Sequence, residues 1–343
     1  MNLCQTNFVA GLSWCMLALL TACAQESPDP SPPVRESARL QQNFPPPPQT
    51  QSPPLPLPPT PVLPGREIAP GVRLLGRLGH PRLSESSGVA ASRLHPGVLW
   101  THNDGGGGRK QALYAVNREG ATLAEFLVTD VVLIDWEDIA LDGENQLYLA
   151  DVGNNDLKRQ ELAVYQLPEP SLTNHSVSLQ TRRSWRLRFP GQPFDCESLF
   201  VWKGYGYVVS KVLGNAHAQI FRFPLEQPQP AAGEAAPPES ASTVSILELV
   251  ATTRIDSPVT GADLSPDGNL LGLVAKSGAY VLRVRGDPTR AGKVKSYQTR
   301  FRHEHIEACT FVPEGLLATA ESREIYLFTD PPFRGNTRGR DPE

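Results

Sequence analysis

The sequence predicts an all-β protein that folds as a five-bladed β-propeller with four antiparallel strands in each blade. Three observations predict this fold: short strand-like runs with almost no helical periodicity, Gly and Asn/Asp turns between them, and a weak repeat along the chain. A sheet of this kind cannot bury both faces alone, so neighbouring sheets stack and the stack closes into a ring. Six blades are the alternative, if one degenerate repeat is present.

Each repeat unit contains a short first strand, a more apolar second strand and, after a polar loop, a third strand. The first unit reads GVAAS, GVLWTHND and ALYAVN, and the fifth reads ACTFVPEG, LLATAES and EIYLF. One more strand-like segment precedes each unit, from VRLLGRL ahead of the first to KSYQTRF ahead of the fifth. We therefore predict five units of four strands, since one open sandwich of all these strands would be abnormally large.

The two ends of the chain differ in composition from the repeats. Residues 1–23 predict a lipoprotein-type signal segment, because the apolar run at 8–20 suits a secretory signal and is short for a transmembrane helix. Residues 24–70 are rich in proline and predict a disordered, semi-extended linker. The propeller is predicted over 71–330, with a Pro/Ala/Glu-rich insert at 225–242 and a disordered tail at 331–343.

The signal segment ends in Leu20-Thr21-Ala22-Cys23, which resembles the lipobox of bacterial lipoproteins. In that family the cysteine thiol receives a diacylglycerol and becomes the first residue, which implies lipidation of Cys23. The resemblance implies an exported protein of the bacterial cell envelope, an outer-membrane lipoprotein that faces the periplasm or the exterior and contacts the membrane through this anchor. The segment before the apolar run has no Lys or Arg, so a plain secretory signal is the alternative.

Charge and cysteine content argue against two other classes of protein. The net charge is −4 with both signs interspersed and no basic stripe, so a nucleic-acid partner is not expected. Cys196 and Cys309 follow Cys23 in the chain, and no Cys-x-x-Cys or zinc-type spacing occurs. These two cysteines fall in non-adjacent predicted blades, so we expect buried free thiols.

One oxygen-bearing side chain begins the first strand of each predicted blade, where that strand enters the central channel. The five positions are spaced by 50, 60, 63 and 47 residues, and they are Ser87, Glu137, Glu197, Thr260 and Glu307. Three carboxylates in a narrow channel repel each other, so they either take up protons or hold a cation. All-oxygen ligation favours Ca²⁺, which takes roughly six to eight oxygen ligands. The alternative is a polar, hydrated channel without a metal.

This order of side chains resembles that of the soluble calcium-activated nucleotidases, or apyrases, which are five-bladed propellers with Ca²⁺ in the central tunnel. In that family the first strands offer a hydroxyl, two carboxylates, a hydroxyl and a carboxylate in turn. The likeness covers the blade pattern of residues 71–330 and implies that the five positions above are calcium ligands. The motifs WTHND, DWEDIA and DVGNN also resemble those of bacterial exported propellers of unassigned function.

The loops between the second and third strands are expected to surround the same channel mouth. Three of their residues are candidates for catalysis, with the histidine as acid or base, and they are His102, Asp104 and Asp151. Four others are candidates for binding an anionic substrate, and they are Asn103, Asn154, Lys211 and Lys276. The alternative for Asn-Asp-Gly and Gly-Asn-Asn is that they only form turns.

Two functions from different classes fit these features. The first is an exported hydrolase that uses Ca²⁺ to position a phosphorylated or otherwise anionic substrate at the mouth. The second is a non-catalytic, lipid-tethered binding or scaffold propeller with a structural Ca²⁺, whose rim binds a protein, peptide or glycan of the envelope. A third, a phytase-like or lactonase-like propeller, is expected to have six blades.

Overall fold

The computed structural model describes residues 63–105, 111–173, 178–212, 216–226 and 244–333. Within these ranges the strands form five sheets, which confirms an all-β fold of five blades. The described chain begins with β1 (Arg66–Ala69) and β2 (Val72–Arg77). No helix in this part of the chain is long and apolar enough to cross a membrane.

The first two blades follow next, and each runs from an innermost strand outward through antiparallel neighbours. Blade one contains β3 (Ser86–Ala91), β4 (Val98–Asn103), β5 (Ala112–Asn117) and β6 (Thr122–Val128). Blade two contains β7 (Trp136–Leu141), β8 (Gln146–Asp151) and β9 (Glu161–Pro168), and after the short β10 (Ser178–Leu179) it is completed by β11 (Arg183–Arg188).

The remaining three blades repeat this arrangement. Blade three contains β12 (Cys196–Trp202), β13 (Tyr205–Ser210), β14 (Gln219–Pro224) and, beyond β15 (Val244–Ile246), β16 (Glu248–Thr252). Blade four contains β17 (Val259–Leu264), β18 (Leu270–Ala275), β19 (Gly278–Arg283) and β20 (Ser296–Arg300). Blade five contains β21 (Ile306–Val312), β22 (Gly315–Ala320) and β23 (Glu324–Phe328). The short strands β10 and β15 add parallel fifth strands to blades one and two.

In blades one to four the fourth strand follows the three inner strands in the sequence, which corrects the predicted order, whereas blade five takes its fourth strand from the beginning of the described chain. The segment VRLLGRL was expected ahead of the first unit, but it forms β2 and pairs with β23 in blade five. The physical reason is that an antiparallel strand pairs readily with the strand just before it, which leaves the N-terminal strand for the last blade. Leu74 of β2 lies opposite Tyr326 of β23, so the two ends of the described chain close the ring together.

The hydrophobic core is divided into five clusters, one at each junction between neighbouring blades. At the junction of blades two and three, Trp185, Leu199 and Phe223 are almost fully buried. Successive side chains of a strand point to opposite faces, so each sheet presents apolar residues to the sheet on either side. Burial of one such side chain stabilises the fold by about 1.5–3 kcal/mol, so packing at the junctions holds the blades together.

The innermost strands contact one another around the axis, from β3 through β7, β12 and β17 to β21 and back to β3. Buried carboxylates reinforce this inner ring. The backbone amide of Leu199 donates a 2.8 Å hydrogen bond to Asp138, which joins blade two to blade three. The amide of Phe311 donates a 2.8 Å hydrogen bond to Asp263, which joins blade four to blade five.

The described fold extends beyond the predicted 71–330 at both ends. It begins with β1 and ends in a 3₁₀ turn at Pro331–Phe333, where Phe333 is buried near Phe328. A second 3₁₀ turn, Pro288–Gly292, precedes β20. Cys196 and Cys309 are buried free thiols in blades three and five, as predicted. The predicted signal segment with Cys23, the linker up to residue 62, the insert residues 227–242 and the tail residues 334–343 lie outside the described residues.

Candidate functional site at the channel mouth

Each innermost strand has a break in its pairing register near its first residues. The breaks lie between Ser86 and Gly88, between Trp136 and Asp138, and at the same height in the other three blades. A β-bulge of this kind leaves one residue outside the ladder and re-aims its side chain. The residues at these breaks include all five that the sequence predicted as metal ligands: Ser87, Glu137, Glu197, Thr260 and Glu307.

The three glutamates of this set are close enough to affect one another's ionisation. Burial, followed by the charges of Glu197 and two aspartates, raises the pKa of Glu137 well above its ordinary value. Burial also raises the pKa of Glu307 to about 8, and the charge of Glu197 adds to that shift. Glu197 has its own pKa raised to about 7, again mainly by burial. The mouth therefore concentrates carboxylates at a place where their ionised forms are costly.

The two hydroxyl residues of the set make different contacts. Ser87 Oγ donates a 3.0 Å hydrogen bond to Glu137 Oε2, which links blade one to blade two. Thr260 Oγ1 donates a 2.7 Å hydrogen bond to the carbonyl of Ile306, which links blade four to blade five. Ser87 therefore bonds directly to the cluster of carboxylates at the mouth, whereas the hydroxyl of Thr260 donates to the backbone.

Glu197 has one carboxylate oxygen engaged and one that is not. Its Oε1 forms an ion pair with the ammonium of Lys211. Its Oε2 is buried and has no hydrogen-bond partner within the described residues. Burial opposes the charge of Lys211, but the nearby carboxylates of Glu197, Asp195 and Glu307 raise the pKa of this lysine. A buried carboxylate oxygen without a partner is costly, and a cation would satisfy it.

Glu137 also belongs to a cluster of three acidic residues at the mouth, of which the sequence predicted two as site residues. Asp104, Asp135 and Glu137 each offer a carboxylate oxygen, and these oxygens lie within 4.8 Å of one another. Glu137 is only 4% exposed, so the group reaches into the channel. Burial raises the pKa of Asp135; Arg159 opposes this shift, and the charges of Asp195 and other aspartates add to it. Asp135 was missed by the sequence analysis, although its alternation with Glu137 in DWED would place both on one face.

The glycine of DVGNN provides the space for this group. A Cβ atom added at Gly153 would lie 2.4 Å from Asp135 Oδ2 and 2.4 Å from Glu137 Oε1. Those distances are far shorter than a van der Waals contact, so any side chain at this position would push the two carboxylates away. Gly153 was predicted as part of a turn, and its packing role depends on a contact that the sequence pattern does not reveal.

His102 lies within β4 and not on the rim, in contrast to its predicted place on the loop. It is fully buried and stacks on Trp136 with 3.8 Å between the ring centroids. Its Nδ1 lies 2.7 Å from the carbonyl oxygen of Asn103, so the neutral ring donates from Nδ1. Burial lowers the pKa of His102 to about 3, so the ring stays neutral near pH 7. The structure therefore places His102 in the wall between blades one and two.

Asn103 and Asp151 occupy equivalent positions at the ends of β4 and β8. Asn103 Oδ1 accepts hydrogen bonds from the backbone amides of Ser84 and Glu85. Asp151 accepts hydrogen bonds from the amides of Ile134 and Asp135, at 3.2 and 2.9 Å. Both side chains thus hold the loop that leads into the innermost strand of their own blade, and Asp151 in particular positions Asp135.

The other predicted substrate-binding residues divide into two kinds. Asn154 is committed internally, since its Oδ1 accepts from the amide of Arg159 and its Nδ2 donates to two backbone carbonyls. Lys211 and Lys276 lie near enough to Glu307 for both charges to lower its pKa. The structure thus brings the two lysines close to the Glu307 carboxylate, whereas the side chain of Asn154 is used in hydrogen bonds that hold its own loop.

No family model matches this sequence, and no curated protein matches it. Among solved structures, a chain of a nidogen/laminin complex aligns with a TM-score of 0.41 and 12% identity, over 68% of this chain and 72% of its own. A gluconolactonase from Xanthomonas campestris aligns with a TM-score of 0.40 and 12% identity, over 76% and 89% of the two chains. A glucose dehydrogenase-type oxidoreductase from Thermus thermophilus aligns with a TM-score of 0.40 and 12% identity, over 75% and 98%. These likenesses carry no activity over to this chain, which its own geometry defines as a five-bladed propeller with a carboxylate-rich channel mouth.

Proposed function

We propose that this protein is a calcium-binding propeller that holds a small anionic ligand at its channel mouth. The observation that carries the proposal is the group of Asp104, Asp135 and Glu137, whose carboxylate oxygens lie within 4.8 Å of one another. Two oxygens bound to one Ca²⁺ at about 2.3–2.6 Å are at most about 5 Å apart, so this spacing fits the ion.

Two further features support a cation at this place. Glu197 has a buried oxygen without a partner in the described residues, and the charge of Glu197 is felt by Glu137. Within the described residues, the group of Asp104, Asp135 and Glu137 offers carboxylates, and the Ser87 hydroxyl is bonded to it, while the ring of His102 is buried in the wall. Hard oxygen donors favour Ca²⁺ over Zn²⁺, and a site shared by several blades suits the flexible coordination of Ca²⁺ better than the strict octahedron of Mg²⁺.

The same geometry supports an anionic ligand. Water molecules complete the coordination of Ca²⁺ in protein sites, and an anion that replaces them is attracted by the charge of the ion. Lys276 is a half-buried cation near Glu307 on the other side of the mouth. A small phosphorylated or carboxylated ligand would therefore meet positive charge from both sides.

Titration of the protein with Ca²⁺, followed by calorimetry and by the melting temperature, tests the proposal. We expect Glu137→Gln to lose the calcium-dependent rise in melting temperature, because the substitution removes one ligand charge. Glu144→Gln, an exposed glutamate in a turn of the same blade, is the matched control and should bind as the wild type does. Identical calcium binding by wild type and Glu137→Gln would show that Glu137 is not a calcium ligand and would contradict the proposed site.

Calcium-dependent hydrolysis of phosphorylated or other anionic substrates is a second candidate function. The observation that favours hydrolysis is the pKa of Glu307, which is about 8. This side chain therefore keeps its proton near neutral pH, close to the other carboxylates of the mouth. A carboxylic acid held neutral in this way can serve as a general acid. Turnover of a panel of nucleotides and phosphoesters, with and without EGTA, should then depend on calcium and be lost in Glu307→Gln. Calcium binding without turnover on that panel favours the non-catalytic binding or scaffold propeller.

We also propose that the chain is exported and attached to a bacterial envelope membrane through a lipid on Cys23. This proposal rests on the lipobox-like sequence Leu20 to Cys23. Metabolic labelling with a palmitate analogue tests it, and wild type should be labelled while Cys23→Ser is not. Equal labelling of both proteins would show that no lipid is attached at Cys23 and would contradict the proposed anchor.

A further inference from the structure

A cavity lies at the end of the channel that is opposite the bulges and the candidate cation site. It has a volume of about 300 Å³ and is formed where the innermost strands of blades one, two, four and five end. Ala91 and Ser87 both belong to β3, and four residues of a strand span about 13 Å. The cavity is therefore separated along the channel from the candidate cation site.

Most of the cavity wall is apolar. Side chains that line it include Val89, Leu141, Leu264, Phe311 and Val312. Ligand pockets of proteins are typically lined in this way, with a few polar groups that fix the orientation of the ligand, and volumes begin at about 300 Å³. The cavity thus has the size and lining of a site for a small molecule.

The polar groups deep in the wall are already satisfied by the protein. Asp263 accepts hydrogen bonds from the amides of Leu264 and Phe311, both at 2.8 Å, and from Thr310 Oγ1 at 3.0 Å. Thr310 Oγ1 in turn accepts a 3.0 Å hydrogen bond from the amide of Ala91. These groups hold three innermost strands together, so a ligand gains little from them.

Two arginines flank the cavity, and only Arg118 forms an ion pair within the described residues, while burial raises the pKa of Asp263 and the charge of Arg93 acts to lower it. Arg118 forms an ion pair with Glu314, with both carboxylate oxygens at 2.8 Å. The exposed Arg93 makes one long contact, 3.5 Å to the carbonyl of Leu141, and no ion pair with another residue of the described ranges. A guanidinium presents five N–H donors in a planar fork that matches a carboxylate. Arg93 therefore retains most of its donors at the edge of an apolar cavity.

We propose that this cavity binds a small molecule with an apolar body and a carboxylate group. The apolar body fills the space between Leu141, Leu264 and Phe311, and the carboxylate pairs with Arg93 at the entrance. This site is independent of the calcium site, because it uses the opposite ends of the strands and shares no residue with the mouth.

The test compares two probes of similar shape, 3-phenylpropionate and 3-phenyl-1-propanol, by calorimetry on the full chain. We expect the carboxylate to bind about tenfold more tightly than the alcohol, which is the usual effect of one charge-assisted pair. Arg93→Met keeps the apolar stem and should abolish this preference. Arg283→Met, an exposed arginine on the same face that does not line the cavity, should retain it.

A third variant separates this site from the channel mouth. Glu137→Gln should leave binding of 3-phenylpropionate unchanged, whatever it does to calcium. Equal binding of the two probes, no binding of either, a preference that survives in Arg93→Met, or loss of binding in Glu137→Gln would each overturn the proposal.

Discussion

The ammonium group of Lys211 forms an ion pair with the carboxylate of Glu197 inside the channel mouth. The lysine follows β13 and the glutamate begins the bulge of β12, so both belong to blade three. This lysine is a cation that the protein supplies itself, and it neutralises part of the carboxylate charge. Any metal at the mouth must therefore share Glu197 with Lys211 or rely on the acidic residues of blades one and two.

Replacement of Lys211 by methionine should strengthen calcium binding. The substitution leaves Glu197 without its internal counter-ion, so the calcium-free protein should lose about 1–3 kcal/mol of stability. Calcium should restore that loss, because the ion satisfies the freed carboxylate. Calorimetry and urea unfolding with and without Ca²⁺ measure both effects. An unchanged calcium affinity in Lys211→Met would show that Glu197 and Lys211 stay outside the site.

Gly153→Ala should prevent calcium binding without unfolding the protein. Its new Cβ would collide with Asp135 Oδ2 and Glu137 Oε1, so the acidic group must separate. Gly143→Ala is the matched control in the same blade, because nothing lies within 4 Å of a Cβ added there. Calorimetric titration of both variants is the measurement. If Gly153→Ala binds calcium as well as Gly143→Ala does, the ligands are not Asp135 and Glu137.

The stability of the calcium-free protein should fall with rising pH through Glu307. The pKa of this residue is raised from 4.5 in the unfolded chain to about 8 in the folded protein, mainly by burial. The folded protein therefore holds the proton more tightly, and stability is lost as pH rises from about 4.5 through about 8. Glu307→Gln removes this titration, so the difference in melting temperature between wild type and variant should grow between pH 5 and pH 8. A difference that is constant over this range contradicts the burial of an acidic Glu307.

His102→Ala should destabilise the fold by about 2–4 kcal/mol and leave calcium affinity unchanged, because the ring fills a wall between two blades. The pKa of His102 is lowered from 6.5 to about 3 by burial. Its contribution is present above about pH 6.5 and is lost as pH falls toward 3, because the unfolded chain takes up the proton first. Urea unfolding at pH 7 and pH 5 should show a smaller gap between wild type and variant at pH 5. An equal gap at both values would contradict a buried neutral ring.

The blade count and the residue that begins each innermost strand could be predicted because they repeat. One oxygen-bearing residue starts each innermost strand, and the spacing between these residues matches the length of a blade. The order of strands within a blade was harder to predict, since a strand-like segment between two units can pair with either. The observed strand pairings decide that the fourth strand belongs to the unit before it, and the pairing of β2 with β23 follows from that choice.

The acidic group and the role of His102 could not be fully predicted, for two different reasons. Asp135 alternates with Glu137 in DWED, but its position just before β7 is fixed by hydrogen bonds to Asp151, and that tertiary contact has no sequence signal. His102 did carry a signal, because it is two residues from Trp100 and alternation along a strand puts both on the same buried face. The acid–base chemistry of histidine favoured a place at the channel mouth, whereas the alternation along β4 indicates burial between blades one and two.

The five register breaks separate the chemistry of the mouth from the stability of the sheets. A residue that is released from the ladder can be exchanged at little cost to the hydrogen bonds of its neighbours. The ring can therefore change its inner lining one position at a time while the apolar packing between blades stays intact, although exchange of Ser87 or Thr260 removes one hydrogen bond between blades. This makes the scaffold suited to redesign, in which the same five positions receive imidazole, amide or thiol groups for other ions.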